Sequence, residues 1–460
     1  MKKKLITLLL VASTQFSYAN DYITTGEGKL YMLETLAKLE GSGVTKSLTN
    51  DSTYTIGNVI TIAKGDSLSL NGEEAVSLLF ADGAGIVVEG VYTSASQNKV
   101  WCGKENEAAT PLGIVIEEQE EQAEVGMLEL QGVRLTNHSS QGLRFHQVHF
   151  EGFGEDASGA FVLQPSGAPF LFQGCSFKDN RRAAIGGAAN YYCPLQLKQC
   201  HFMNNSLANS NIPQLNLTVA DSIVIDECTV QGNPELYMVG GIGVSNFMAV
   251  DQTKVVIRNS SITGNRYGIG TVGPMNIRIE GNVLTDNCHE LNPMNGGSGI
   301  SLYDPYMQTN AYIQGNRIEG SLWGVTVIGC QHVNMGRVDV AADDADYNPG
   351  QNRFKDNGNN GVLYDLYNNS GNTVYAQGNF WNVDEQTEEL IETVVFHQKD
   401  DASLGEVIFM PAGGTATGIA ATGTPASPAA ATLYNLHGQH LKSTPRHGLY
   451  IKGGKLLLRR

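Results

Sequence analysis

Apolar and polar residues alternate in a phrase that recurs five times between residues 170 and 284. In chain order the phrase reads FLFQGCSFKDN, LQLKQCHFMNN, IVIDECTVQGN, VVIRNSSITGN and IRIEGNVLTDN. An alternation with a period of two residues is typical of a β-strand. Recurrence every 20 to 35 residues or so indicates a solenoid, in which each repeat packs on its neighbours. The stretch therefore predicts a coil of short parallel strands joined by Gly- and Asn-rich turns.

The last apolar residue of each phrase serves as an anchor for aligning the repeats. These anchors are Phe177, Phe202, Val230, Ile262 and Leu284. An asparagine follows three residues after every anchor, at Asn180, Asn205, Asn233, Asn265 and Asn287. Asparagine tolerates the left-handed backbone region and can hydrogen-bond to a like residue on the next turn. We therefore expect these asparagines to occupy a bend that is repeated along the coil.

A second column lies two residues before the anchors and their later counterparts. It contains Cys175, Cys200, Cys228, Ser260, Asn282, Asn316, Asn352 and Asn379. This order predicts a stack of buried free cysteines that gives way to a stack of asparagines hydrogen-bonded along the coil. The chain has seven cysteines, whose spacing matches no zinc pattern. A disulfide or a metal site remains the alternative for the cysteines, and no metal is assigned.

The variable spacing between phrases predicts loops of different length that leave one corner of a constant coil. The sequence resembles the right-handed parallel β-helix, and this resemblance implies an all-β solenoid. Apolar residues at helical spacing in residues 30–39 and 386–394 predict short helices that cap its two ends. We therefore predict a capping segment at 20–52 and the β-helix with its terminal cap at 53–411.

The two ends of the chain have different compositions from the body. Residues 1–19 have three lysines, an apolar run and a small-residue end, which is typical of a secretory signal peptide. No other stretch is apolar and long enough to predict a membrane span. Residues 412–431 are rich in Gly, Ala, Thr, Ser and Pro without charge, which predicts a linker.

Residues 432–460 form a basic tail with two strand-like phrases, YNLHGQ and GLYI. This tail resembles the C-terminal sorting domain of the type IX secretion system of Bacteroidetes. The residues that carry the resemblance are Tyr434, Gly438, Gly448, Tyr450 and Lys455. The resemblance implies the type IX machinery as a partner and a secreted or outer cell-surface location. An ordinary terminal hairpin is the alternative.

The body of the chain is acidic. The whole chain has 30 basic and 46 acidic residues, a net charge of −16. Three Lys precede residue 20 and six Lys and Arg follow residue 411, so residues 20–411 have 21 basic and 46 acidic residues, a net charge of −25. This charge disfavours nucleic acids and anionic membranes as partners. Polyanionic glycans would need calcium or a local basic patch. No motif indicates a cofactor, and none supports calcium.

Parallel β-helices include polysaccharide lyases, hydrolases and adhesins, so the fold alone does not specify a function. The acidic pair Asp343-Asp344 falls in a polar insertion and Asp400-Asp401 in the terminal cap, and neither placement matches a polygalacturonase. A catalytic group could also be composed of Arg266, Asp286, His289 and Glu290, but no family motif surrounds these residues. We assign no catalytic residue. A lyase or hydrolase with an unrecognised site remains an alternative.

Long insertions follow Asn205, Asn233 and Asn287, and we expect them to gather on one flank. We expect the insertions to bring Tyr237, Phe247, Tyr303, Tyr306 and Tyr312 to this flank, with Tyr267 and Trp323 close by. The candidates for stacking on sugars are Tyr237, Phe247, Tyr267, Tyr303, Tyr306 and Trp323. The leading hypothesis is a non-catalytic secreted or surface protein that binds glycan or a host surface through this flank. The alternatives are that these rings pack the loops onto the coil, or that the protein is a structural surface component.

Overall fold

A computed structural model describes residues 22–70, 74–93, 98–154, 159–164, 167–187, 192–218, 221–247 and 252–414. Beyond residue 414 it describes only the backbone of four short strands. The predicted signal peptide, most of the predicted linker and Gly438 lie outside the described residues. The chain divides into two compact units, Met1–Gly414 and Thr415–Arg460.

The first unit is a coil whose turns each pass through sheet 1, sheet 2 and sheet 3. Sheet 1 contains Val44–Lys46, Thr53–Ile56, Val76–Phe80, Val100–Lys104, Leu128–Gln131, His149–Glu151, Ser176–Lys178, His201–Met203, Thr229–Gln231, Ser261–Thr263, Val283–Thr285, Arg317–Glu319 and Arg353–Lys355. Sheet 2 begins with five strands, Tyr22–Ile23, Val59–Ile62, Gly85–Val88, Gly113–Ile116 and Leu135–Asn137. After a break in strand pairing, it continues with Phe161–Val162, Ile185–Gly186, Leu215–Thr218, Ile242–Ser245, Ile269–Val272, Ser298–Tyr303, Trp323–Ile328, Leu366–Asn369 and Val395–Phe396.

Sheet 3 is the face on which the candidate site lies. It begins with Leu30–Tyr31, Ser67–Ser69 and Val91–Thr93. After a break in strand pairing, it continues with Ala123–Gly126, Leu143–His146, Phe170–Gln173, Leu195–Lys198, Ser222–Asp226, Thr253–Arg258, Met275–Glu280, Asn310–Gln314, His332–Asn334, Val374–Tyr375 and Val407–Ile408. Outside the three sheets, Gly358–Asn359 pairs with Val362–Leu363. The strands of the second unit are Leu433–Tyr434, His440–Leu441, Gly448–Lys452 and Lys455–Arg459.

Neighbouring turns pair in parallel, and only the first strand of sheet 1, Val44–Lys46, pairs antiparallel with Thr53–Ile56 among the described strands of the three sheets. The register of the anchors is confirmed. Phe177 pairs with Phe202, Phe202 with Val230, Val230 with Ile262 and Ile262 with Leu284. Because parallel strands lie about 4.8 Å apart, like residues stack along the axis. The ring of Phe177 stacks on Phe150 at 4.5 Å and on Phe202 at 5.1 Å. The interior is therefore a set of columns of identical or similar side chains.

The corner from sheet 3 to sheet 1 has a constant form. One residue with positive φ is followed by one buried residue and then by the sheet 1 strand. The positive-φ residues are Gly174, Gln199, Glu227, Asn259, Gly281, Gly315, Gln351 and Gly378. The buried residues after them are Cys175, Cys200, Cys228, Ser260, Asn282, Asn316, Asn352 and Asn379. A single left-handed residue thus turns the chain while the next side chain enters the core.

The buried asparagines of this column are hydrogen-bonded along the axis. Nδ2 of Asn282 donates to Oδ1 of Asn316 (3.0 Å), Asn316 to Asn352 (2.9 Å) and Asn352 to Asn379 (2.9 Å). All seven cysteines are free thiols. A hydrogen bond with Cys175, together with burial, raises the pKa of the Cys200 thiol to about 12, so this thiol stays protonated.

The asparagines after the anchors differ from the expected bend. The left-handed residue is the one before them, as at Asp179, Asn204 and Asp286, and the asparagine itself is buried. Asn233 is only partly buried, and Gln214 takes its place in the column, between Asn205 and Asn265. The glutamine is long enough to reach into the column from the adjacent loop.

The ends of the coil are covered by short elements. Helix α1 spans only Leu33–Leu36, because Leu30–Tyr31 instead pairs with Ser67–Leu68 at the edge of sheet 3. Helix α2 spans Glu388–Ile391 and continues as a 3-10 helix at Glu392–Val394, within the predicted range. In the part of the chain that the structure describes, neither helix has the length and apolarity that crossing a membrane requires.

Candidate functional site

An insertion at residues 337–350 interrupts the otherwise constant corner between sheets 3 and 1. Upstream, Ala311-Tyr312-Ile313-Gln314 leads directly through Gly315 to Asn316. In the next turn, Val333-Asn334-Met335-Gly336 holds the same positions, and the chain makes an excursion before it reaches Gln351 and Asn352. This 337–350 insertion folds back over the outer face of sheet 3.

The insertion borders a groove of about 340 Å³ on that face. Because side chains alternate along a strand, outward residues of successive turns form rows parallel to the coil axis. The first row is Lys254, Asn276, Asn310 and His332. The second row is Val256, Arg278, Tyr312 and Asn334. Both rows line the groove, with Ala345 and Asp346 of the insertion as its wall.

A guanidinium stacked on an aromatic ring lies in the middle of the groove. Cζ of Arg278 lies 4.0 Å from the centre of the Tyr312 ring. Glu280 holds the same guanidinium from the side, at 2.6 Å. The Arg278 side chain nevertheless remains 51% exposed. The groove therefore presents a guanidinium, stacked on an aromatic ring and paired with a carboxylate, to solvent.

The Tyr312 hydroxyl is a hydrogen-bond donor in this arrangement. It donates to Oε1 of Gln314 (2.9 Å). Burial raises the pKa of Tyr312, against a smaller opposing effect of the Arg278 charge. A tyrosine with a raised pKa remains protonated at neutral pH, so it serves poorly as a general base. The geometry suits binding better than proton abstraction.

Side-chain amides connect the groove to the corner between sheets 2 and 3. Nδ2 of Asn310 donates to Oδ1 of Asn276 (3.1 Å), and Nδ2 of Asn276 donates to Oε1 of Gln252 (2.7 Å). Gln252 in turn donates to the backbone oxygen of Gln308 (2.5 Å). Within the described residues, Oδ1 of Asn310 accepts no hydrogen bond, so it is available to a donor such as a sugar hydroxyl.

The comparisons with known proteins agree with this architecture. A family model described as "Right handed beta helix region" matches residues 131–318. The coil is a right-handed parallel β-helix. The match covers its central turns and ends within the groove-bearing part of the chain.

Two solved structures are similar to the β-helix at low identity. One is the periplasmic alginate epimerase AlgG, with 14% identity, 83% of each chain covered and a TM-score of 0.40. The other is the Dettilon tailspike protein, with 12% identity, 77% of this chain and 62% of that chain covered, and a TM-score of 0.33. No curated protein matches the chain. At this distance, the two structures say nothing about the chemistry of the groove.

Two of the six predicted aromatic candidates pack onto sheet 2 of the β-helix. The ring of Tyr267 lies directly above Gly240, where an added Cβ would come within 2.1 Å of it. Burial raises the pKa of Tyr267 to about 12. Trp323 donates from Nε1 to the backbone oxygen of Pro293 (3.1 Å) and contacts the ring of Tyr364 at 4.7 Å. Both rings are engaged in packing.

The other four candidates are exposed, but they lie at two corners rather than on one flank. Tyr237 is in the connection from sheet 1 to sheet 2 and is 46% exposed. Phe247, Tyr303 and Tyr306 lie at the corner from sheet 2 to sheet 3 and are 55%, 41% and 48% exposed. The three insertions themselves share the connection from sheet 1 to sheet 2, as expected, but Phe247, Tyr303 and Tyr306 lie at the far end of the sheet 2 strands and therefore outside these insertions. Tyr303 and Tyr306 lie in the connection that leads to Asn310 at the border of the groove, and we call these two residues the aromatic rim.

In the combination of Arg266, Asp286, His289 and Glu290, the contacts of the arginine are structural. The Arg266 guanidinium binds the side chain of Asn211 and the backbone oxygen of Asn295, which ties two loops together. Burial lowers the pKa of His289. Among the described residues, no group of three or more His, Cys, Asp or Glu side chains is placed to hold a metal ion.

The groove was not found from the sequence, although a signal for it exists. Outward positions of sheet 3 can be read from the alternation around Arg278 and Tyr312. The break in the constant corner, at 337–350, marks the turn where something new is added. Where the insertion folds depends on contacts such as that between Asn334 and Asp346 (2.7 Å), which no local pattern encodes.

Proposed function

We propose that this β-helix protein is exported from the cell and binds glycan chains, without catalysis, in the groove of sheet 3. The observation that supports this best is the Arg278–Tyr312 stack beside the row of amides. Sugars offer hydroxyls that both donate and accept, and ring faces that pack on flat surfaces. Amides and a planar cation on an aromatic ring complement both features.

The aromatic rim supports the same proposal. Asp304 is fully buried and accepts hydrogen bonds from the backbone of Tyr306 (2.9 Å), Gln308 (2.7 Å) and Thr309 (2.6 Å). These bonds fix the loop that carries Tyr306 in an exposed position. A rigid loop loses little conformational entropy when a ligand binds. The rim is therefore prepared to extend the contact surface of the groove.

The binding test uses the purified protein with dextran, xylan and polygalacturonate, with and without calcium. We expect one of these polymers to bind and Arg278→Ala to weaken that binding roughly tenfold or more, a typical effect for a central interface arginine. Arg353→Ala is the matched control, because Cζ of Arg353 lies 3.9 Å from the Phe380 ring on sheet 1, away from the groove. Equal effects of the two substitutions would exclude the groove as the site.

The same samples are assayed for new reducing ends, which both hydrolysis and elimination create. We expect none. If a polymer is cleaved and Arg278→Ala abolishes the cleavage, the groove is the active site of a polysaccharide lyase or hydrolase and the non-catalytic proposal is wrong. Absence of binding to every polymer, at concentrations where weak lectins bind, would favour a structural surface role.

Export through the type IX machinery rests on the resemblance of residues 432–460 to its sorting domain, together with the signal-like residues 1–19. Deletion of residues 433–460 should leave the protein inside the cell envelope. Fractionation of cells that express the full and the shortened chain measures this directly. Arrival of the shortened chain at the cell surface would show that the tail is an ordinary terminal hairpin.

A further inference from the structure

The groove is open at one end and closed at the other. Along its second row the side chains become progressively covered: Arg278 is 51% exposed, Tyr312 is intermediate, and Asn334 is only 2% exposed. In the opposite direction the row continues through Val224, which is partly exposed, to Gln196, which is exposed. A ligand that lies along this row meets free surface on one side and protein on the other.

The 337–350 insertion closes one end of the groove. The backbone oxygen of Asp346 accepts a hydrogen bond from Asn334 (2.7 Å), so the insertion lies directly over this outward position. The backbone oxygen of Tyr347 lies 3.4 Å from the Tyr312 hydroxyl. The insertion thus covers the last turn of the groove and touches the turn before it.

The next position of the row is closed by an arginine. Tyr375 follows Asn334 in register, and Cζ of Arg337 lies 4.2 Å from the centre of its ring. Nη1 of Arg337 binds Oδ2 of Asp346 at 2.7 Å, and the Arg337 side chain is 22% exposed. Arg337 therefore contacts both Tyr375 and Asp346, and it keeps the outer face of Tyr375 covered.

We infer that the groove binds the end of a glycan chain and excludes its interior segments. The inference rests on the proposed glycan binding and adds the part of the polymer that is recognised. A chain lying along the row must stop before Asn334, because the insertion occupies the space where its next sugar would lie. A long polymer then binds one protein for each suitable end, whatever its length.

The stoichiometry of binding tests this inference. Size-fractionated dextran, xylan and polygalacturonate, each long enough to span several protein molecules, are titrated with the full protein. Light scattering coupled to size-exclusion chromatography gives the number of proteins per polymer chain. We expect that number to stay constant as chain length increases. A number that rises in proportion to length would overturn end recognition while leaving glycan binding intact, and no binding to any polymer would refute the proposed function itself.

A deletion of residues 337–350 tests whether the insertion is the stop. It joins Gly336 to Gln351 and restores the corner seen one turn earlier, at Gln314-Gly315. We expect the number of bound proteins per chain to rise with polymer length in this variant. Asn334→Ala combined with Arg337→Ala is the second variant, because it removes the two side-chain contacts with Asp346 that hold the insertion over the row, and it decides the question if the deletion fails to fold. A constant number of bound proteins in the folded variants would exclude the insertion as the stop.

Discussion

The outer faces of sheet 1 and sheet 3 carry nearly the same local interactions and differ in what covers them. Each has an arginine over an aromatic ring, Arg353 on Phe380 and Arg278 on Tyr312. Each also has an arginine and a glutamate two residues apart on one strand, Arg317–Glu319 and Arg278–Glu280, both at 2.6 Å. The groove, however, lies on sheet 3, where the 337–350 insertion forms a wall. The two faces therefore share their strand chemistry, and the groove on sheet 3 arises from the loop placed over the coil.

The largest effect on stability is expected from the interior that both faces share. Asn316 donates to the backbone oxygen of Ile279 (2.8 Å) and to Asn352, and its Oδ1 accepts from the backbone of Asn282 (2.9 Å). Asn316→Ala leaves several buried groups without partners, each at a cost of about 1–3 kcal/mol. Urea unfolding should show a loss of a few kcal/mol. Arg317→Ala, on the outer side of the next residue, is the control and should change little.

The second prediction is that the free energy of unfolding depends on pH through a carboxyl group in the interior. Burial raises the pKa of Asp365 to about 7, although Asn382 and Asn357 donate hydrogen bonds to it. The folded state therefore holds a proton that the unfolded state releases at lower pH. The stability contribution is complete below the unfolded pKa near 3.8 and is lost as pH rises through about 7.

The test of this pH effect compares urea unfolding of the protein and of Asp365→Asn across that range. The free energy of unfolding of the unsubstituted protein should fall by at most about 1.4 kcal/mol per pH unit relative to the variant. Parallel pH profiles for the two proteins would show that Asp365 titrates as an ordinary surface carboxylate and that the prediction is wrong.

A smaller effect should be equal on the two faces. Arg278→Ala and Arg353→Ala each remove one arginine–ring contact at a partly exposed site, which is worth about 0.5–1 kcal/mol. We expect similar losses of thermal stability from both. A much larger loss for Arg278→Ala would mean that this arginine stabilises the sheet 3 face, and that the two arginine–ring contacts are not equivalent.

The smallest expected change in stability comes from the glutamates, and it separates the orientation of the Arg278 side chain from the stability of the fold. Glu280→Ala and Glu319→Ala each break a partly exposed ion pair, so unfolding measurements should scarcely distinguish them from the unsubstituted protein. Only Glu280→Ala should weaken glycan binding, because Glu280 holds the Arg278 guanidinium flat on Tyr312. Identical binding by both variants would indicate that the ring alone positions Arg278.

The repeat could be predicted from the sequence because it depends on short stretches of neighbouring residues. Strand alternation and the anchor spacing set the register from Phe177 to Leu284, and the structure confirms it. The left-handed residue was assigned one place too late, since a buried asparagine and a bend asparagine look alike in a sequence. Gln214 in the place of Asn233 was equally hidden, because the substitution comes from a neighbouring loop.

The aromatic candidates show why the site was harder to predict than the fold. Trp323 and Tyr303 are both rings near a sheet edge, and only the surrounding chain decides that one is packed and the other exposed. Tyr312 was noticed only as one ring among several, yet its partner Arg278 on the preceding turn makes it the centre of the groove. Contacts between turns far apart in sequence determine these roles.

The constant corner between sheets 3 and 1 makes the molecule divisible into interchangeable segments. Each turn passes this corner through one left-handed residue and one buried side chain. We therefore expect that a whole turn upstream of the insertion can be duplicated or removed without changing the next. The distance from the open end of the groove to its stop would then change in steps of about 4.8 Å. If the groove binds the end of a glycan chain as proposed, the length of chain that it holds would change by whole turns of the coil.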